Sequence, residues 1–102
     1  MKIEERKLDV LEYLKYERDE RIPELIEIYN GDVEYVINEI WGPLVTILDG
    51  KTDNDLIDIV NSIMDKDTYA DELNDWMLHT EENDITAADC TLVWEIICNP
   101  IN

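Results

Sequence analysis

Apolar side chains return every third or fourth residue along nearly the whole of this chain, a spacing that belongs to the α-helix. Val33, Val36, Ile37, Ile40, Trp41, Leu44 and Leu48 follow it, as do Leu56, Ile59, Val60, Ile63 and Met64. The residues between them are overwhelmingly acidic. From Ile22 to Asn102 nineteen carboxylates face two bases, Lys51 and Lys66. The other six bases (Lys2, Arg6, Lys7, Lys15, Arg18 and Arg21) fall in the first 21 residues, where seven acids nearly cancel them. A block of like charge is ordinarily disordered and solvated, but this one is broken at helical spacing by side chains able to bury. The chain must therefore fold as helices that hold negative charge on a compact surface against its own repulsion.

The length of 102 residues suits one domain, 1–102, with a core that needs neither disulfide nor metal. A hydrophobic content of 45% keeps the chain on the globular side of the disorder boundary despite a net charge of −18. The opening residues, MKIEERKLDV, contain no apolar stretch of the signal-peptide kind, and no apolar run approaches the ~20 residues that span a bilayer. A cytoplasmic location is the expectation. Cys90 and Cys98 lie eight apart in one predicted helix, roughly 12 Å along its axis, too far to bridge each other. They read as small core residues, with a redox role or an intermolecular bridge as the other reading.

The expected fold is all-α, a compact bundle of five to six short helices. Ile3, Val10, Leu11 and Leu14 share one side of a helix running to about Arg18. Pro23 suits the first turn of a new short helix, which Asn30-Gly31 closes with a left-handed cap. Asp32 can cap the next helix. At Trp41-Gly42-Pro43 a kink or break is expected, because Pro43 has no N–H to return to Glu39 and its ring crowds that carbonyl; the β-branched flanks leave a short hairpin there as the alternative. Asp49-Gly50 is a turn, and Thr52 with Asp55 forms a capping box. A further helix after Lys66-Asp67-Thr68 carries Tyr69, Leu73, Trp76 and Met77 on one face. Thr86 with Asp89 is a second capping pair, opening a last helix that is apolar on more than one side. Such a helix is either central or a surface for self-association.

The chemistry-bearing patterns fail when tested. Gly50-Lys51-Thr52 resembles the end of a phosphate-binding loop, but Val45 stands where that loop needs a glycine. Asp49, Asp53 and Asp55 hint at a calcium loop, but Lys51 and Val60 occupy ligand positions. Asp75 and His79, four apart, make an exposed ion pair more simply than a metal site. A thiolate at Cys90 or Cys98 is opposed by so negative a setting. The expectation is no enzyme, no cofactor and no metal.

What remains is the charge. Asp53, Asp55, Asp58, Asp65, Asp67, Asp71, Glu72, Asp75, Glu81, Glu82 and Asp84 form a run of eleven acids with Lys66 as its single base. Carboxylates at i and i+3 or i+4 stand roughly 5–6 Å apart at Cβ, the same order as successive phosphates on a nucleic-acid strand, whose rise is about 3.4 Å. Solubility alone needs a net charge of only about 2–8. These eleven residues are the expected binding surface for a basic nucleic-acid-binding protein or nuclease, while nucleic acid itself and anionic membranes would be repelled. The small size, acidic helical surface and lack of catalytic residues resemble phage-encoded anti-restriction and anti-CRISPR inhibitors as a functional group. An immunity protein or antitoxin against a basic nuclease toxin uses the same electrostatics, with Tyr13, Tyr16 and Tyr35 as candidate aromatic anchors. A self-associating scaffold, such as a homodimer joined through the last helix, is the third reading.

Overall fold

The computed structural model describes residues 2–98, and among them there is no strand. Seven α-helices form in chain order: α1 (Ile3–Tyr16), α2 (Ile22–Ile28), α3 (Val33–Tyr35), α4 (Gly42–Leu48), α5 (Asp53–Met64), α6 (Tyr69–Leu78) and α7 (Ile85–Cys98). A π-helical turn at Glu17–Arg21 joins α1 to α2, and another at Val36–Trp41 joins α3 to α4. The chain therefore makes five rods, over 3–28, 33–48 and the three helices α5, α6 and α7. The expected all-α bundle is the fold, and the hairpin alternative at Trp41-Gly42-Pro43 is excluded.

Both π turns stop two residues short of a proline, Pro23 or Pro43. A proline inside a helix removes one hydrogen bond and pushes its ring into the carbonyl four residues back. Widening the preceding turn relieves that conflict. The Ile22 N–H donates to the Glu17 carbonyl, five residues back, so the rod expected to end near Arg18 runs on to Ile28. At the second proline the backbone also bends: Trp41 sits at φ −153° and ψ 79° before Gly42 resumes helical angles. A Cβ on Gly42 would lie 2.6 Å from the Ile37 carbonyl oxygen, so glycine is needed there for space.

Local signals set the other boundaries. Asn30 (φ 59°) and Gly31 (φ 80°) form the left-handed cap after α2. The Asp32 carboxylate accepts from the Tyr35 N–H at 3.0 Å. Thr52 and Asp55 make the reciprocal capping box at 3.1 and 2.9 Å. The last helix begins differently from expectation. Asp84, not Asp89, serves its start, its carboxylate accepting the Thr86 N–H at 2.9 Å. Asp89 is turned inward.

Helix α7 is the central one, packed against α1, α4, α5 and α6. Val10, Leu14, Leu44, Leu48, Leu56 and Val93 are fully buried around it. Where α1, α4 and α7 meet, Trp94 takes the ring of Tyr13 edge-on at 6.5 Å and that of Trp41 at 6.0 Å, and the Arg21 guanidinium lies 5.8 Å from the Trp41 ring centre. Buried Glu17 faces the Arg21 Nε at 3.7 Å. Asp89, with no exposure, is the polar centre of the core. Arg6 grips it with two donors, Nε at 2.7 Å and Nη2 at 3.0 Å, and the Tyr69 hydroxyl donates to it at 2.8 Å. One carboxylate thereby ties α1, α6 and α7 together.

Removing one partner of a buried charge pair is strongly destabilising, about 3–5 kcal/mol. Asp89→Ala should cost an amount near the lower end, since the Arg6 side chain keeps 14% exposure; urea unfolding measures it. The double variant Arg6→Met/Asp89→Leu should lose much less. A second expectation concerns alkaline pH. Burial, reinforced by Asp89, pushes the Tyr69 hydroxyl far above its ordinary value, and burial, helped by Glu17, pushes Tyr13 up to about 12. Above the ordinary tyrosine value of 10.0 the unfolded chain gives up protons that the folded chain keeps, so stability falls as pH rises. Chemical unfolding should show this contribution intact below pH 10.0 and shrinking as pH climbs toward about 12, with a shallower decline in Tyr13→Phe.

Candidate functional site: the acidic surface

The eleven acids of the predicted surface do not share one environment. Helix α5 lies along α1, and the bases of the first rod reach across to it. Lys7 bonds to Asp65 at one end. At the other, Arg18 Nη2 meets Asp53 at 2.7 Å, and Lys15 approaches the same residue at 3.9 Å. Arg18 also donates to the Lys51 carbonyl at 3.0 Å. These contacts run Lys7 to Asp65 and Arg18 to Asp53, so the helices are antiparallel. The bases that look segregated in the sequence neutralise α5 in space.

Asp55 is engaged as well, since its carboxylate accepts from the Thr52 backbone and the Thr52 hydroxyl closes the box. Those hydrogen bonds, the backbone one foremost, hold it below the usual carboxylate range. Asp84 belongs to the start of α7. On α5 both Asp55 and Asp58 are without an ion pair among the described residues, Asp55 being held by its cap.

Helix α6 and its flanks differ. It rests on α7, with Tyr69 and Leu73 buried and the Trp76 Nε1–H donating to Glu95 at 3.1 Å. Asp71 points away from α7, Glu72 and Asp75 flank the packed face beside Trp76, and all three are exposed, as are Asp67 before the helix and Glu81 after it, while Glu82 is half-buried. Of these six, only Asp75 has an ion-pair partner among the described residues, His79 at 3.7 Å, which carries charge only when protonated, with both side chains 77% exposed. Asp71 and Asp75 are four apart on one helix face, and Glu72 and Asp75 three apart, so their charges repel at close range.

A second uncompensated surface lay outside the predicted run. Glu24, Glu27, Glu34 and Glu39 are exposed and enter no ion pair among the described residues. The sequence does carry the signal, because no base occurs between Ile22 and Gly50.

The remaining candidates carry little chemistry. Cys90 and Cys98 are unbridged and half-buried. Burial, with Asp89 next, pushes the Cys90 thiol up to about 11, and burial raises Cys98, which opposes thiolate formation near neutral pH. Among the described residues no group of three His, Cys, Asp or Glu could hold a metal ion, and no helix is long and apolar enough to cross a membrane. Compared with protein families, with curated proteins and with solved structures, the chain matches none.

Like charges at this spacing cost roughly a few tenths of a kcal/mol per pair. Neutralising the α6 face with Asp71→Asn, Glu72→Gln and Asp75→Asn should raise the thermal unfolding midpoint in dilute buffer. Added sodium chloride should raise the midpoint of the unaltered protein, and raise that of the variant less, as scanning calorimetry would show.

Proposed function

We propose that this chain is a non-enzymatic inhibitor that binds a basic, nucleic-acid-handling protein through an acidic surface imitating DNA or RNA, in the manner of phage anti-restriction or anti-CRISPR proteins. One observation carries the reading: α6 and its flanks keep Asp67, Asp71, Glu72 and Glu81 clear of any ion pair among the described residues, although bases elsewhere pair with Asp53 and Asp65 at the two ends of α5. A helix of ten residues, about 15 Å long, presents these charges from a backbone fixed on α7. The mechanism is blockade. Carboxylates occupy Lys and Arg side chains that line the partner's nucleic-acid groove, and the bulk of the bundle excludes the duplex. Complementary charge acts chiefly on encounter rate, so association is fast at low salt and slows as salt screens it. The two unbridged thiols suit the reducing cytoplasm, where such partners work.

An immunity protein against a basic nuclease toxin is the second reading, favoured by Tyr16 and Tyr35, which stand 52% and 45% exposed. Aromatic side chains of this kind anchor tight interfaces.

The test reverses charge without touching the cap at Asp55. With Asp67, Asp71, Glu72 and Asp75 all changed to Lys, helicity by circular dichroism should be retained. A partner captured from lysate at low salt by the unaltered chain should be lost at high salt, lost with the reversed chain, and displaced by duplex DNA. A captured partner that goes on binding DNA while the chain is attached would overturn the mimic.

A further inference from the structure

The antiparallel contact of α1 and α5 is closed at its two ends and open between them. Lys7 bridges to Asp65 and lies 3.8 Å from Glu4 at one end. Lys15 lies 3.9 Å from Asp53 and 3.8 Å from Glu12 at the other. Eight residues of helix, about 12 Å, separate the two lysines. Between them runs a groove of about 280 Å³ with Leu11 and Val60 in its floor and Leu8 and Ile57 on its lips. Leu8 is 61% exposed and Ile57 38%, so a well-buried apolar floor continues outward into apolar surface that the described residues leave uncovered.

The charge around this groove has a sign that a count of residues hides. The Lys7 and Lys15 side chains keep only 11% and 29% of their exposure, folded down onto their partners, whereas Glu4 and Glu12 keep 78% and 75%. Anything approaching from solvent meets the Glu4 carboxylate on the groove's rim and apolar side chains within it, with Glu12 one helical turn beyond Leu8. A second copy of this chain is a poor occupant, because it brings another net charge of −18 to the same place. An oppositely charged occupant satisfies both features.

We propose that the α1–α5 groove is a docking site for a basic amphipathic helix of a partner protein. Two apolar side chains one turn apart on that helix, at i and i+4, lie over Leu8 and Ile57, in the way amphipathic helices engage apolar grooves. Lysines or arginines flanking them reach Glu4 and Glu12. The site is separate from the α6 surface and does not depend on the function proposed above.

The experiment titrates isotope-labelled protein with synthetic helical peptides and follows backbone amide resonances. One peptide carries Leu at i and i+4 among lysines; a second keeps every lysine but replaces both leucines with Ser. The leucine peptide should bind at least about tenfold more tightly, with the largest shifts at Leu8, Leu11, Ile57 and Val60. Leu8→Ser, at an exposed position that the fold does not need, should remove most of that difference. Equal affinity for the two peptides, or shifts centred on Asp71 and Glu72, would overturn the proposal by reducing the binding to charge alone. So would a dimer of the unliganded protein that Leu8→Ser dissolves, since the groove would then belong to a second copy.

Discussion

The bundle depends on a carboxylate that it can hold only because Arg6 comes to meet it. Asp89 is fully buried on the central helix, and a bare charge there would be prohibitive. The two-pronged grip of Arg6 and the hydroxyl of Tyr69 give it three donors and draw α1 and α6 onto α7 at one point. The remaining bases of the first rod extend the same arrangement outward, Lys7, Lys15 and Arg18 reaching Asp65 and Asp53 on α5. The first rod thus carries five of the eight bases of an anionic molecule and spends them on its neighbours. Its bases are gathered at one end of the chain because one helix holds the others.

That role explains which parts of the surface stay negative. Helix α5 lies beside the first rod and is paired with its bases at both ends, through Asp53 and Asp65; α6 touches α7 instead, and no Lys or Arg pairs with its acids among the described residues. The stretch from Ile22 to Gly50 has no base of its own and carries exposed glutamates on both of its rods. The uncompensated charge of the protein is therefore concentrated beyond Arg21, where the bases of the first rod do not reach.

Features set by neighbours in the chain were legible in the sequence. Asn30-Gly31, Asp32 and the Thr52–Asp55 box act within four residues, and the apolar stripes of α5 and α6 face the core as their spacing requires. Features set by distant partners were hidden. Asp89 sits three residues after Thr86, the capping spacing, and only the approach of Arg6, 83 positions away, makes burial the better outcome. Asp53 and Asp65 look solvent-facing for the same reason, since nothing local points to Lys7 or Arg18. The prolines announced interruptions, but a helix can break, bend or widen before a proline, and the choice rests on what the following segment gains by continuing. Ile22, beyond the first interruption, is buried, which favours continuation.

The widened turns also carry a message for how such chains change length. The one at Glu17–Arg21 behaves as a single extra residue spliced into a rod, advancing everything downstream by about 100° of helical phase. Leu14 and Ile22 both face inward only because that extra residue stands between them. Deleting one residue from such a turn while replacing its proline would restore an ordinary α-helix with the same faces turned in. A related chain one residue shorter there, lacking the proline, could thus share this architecture while its alignment appeared out of register.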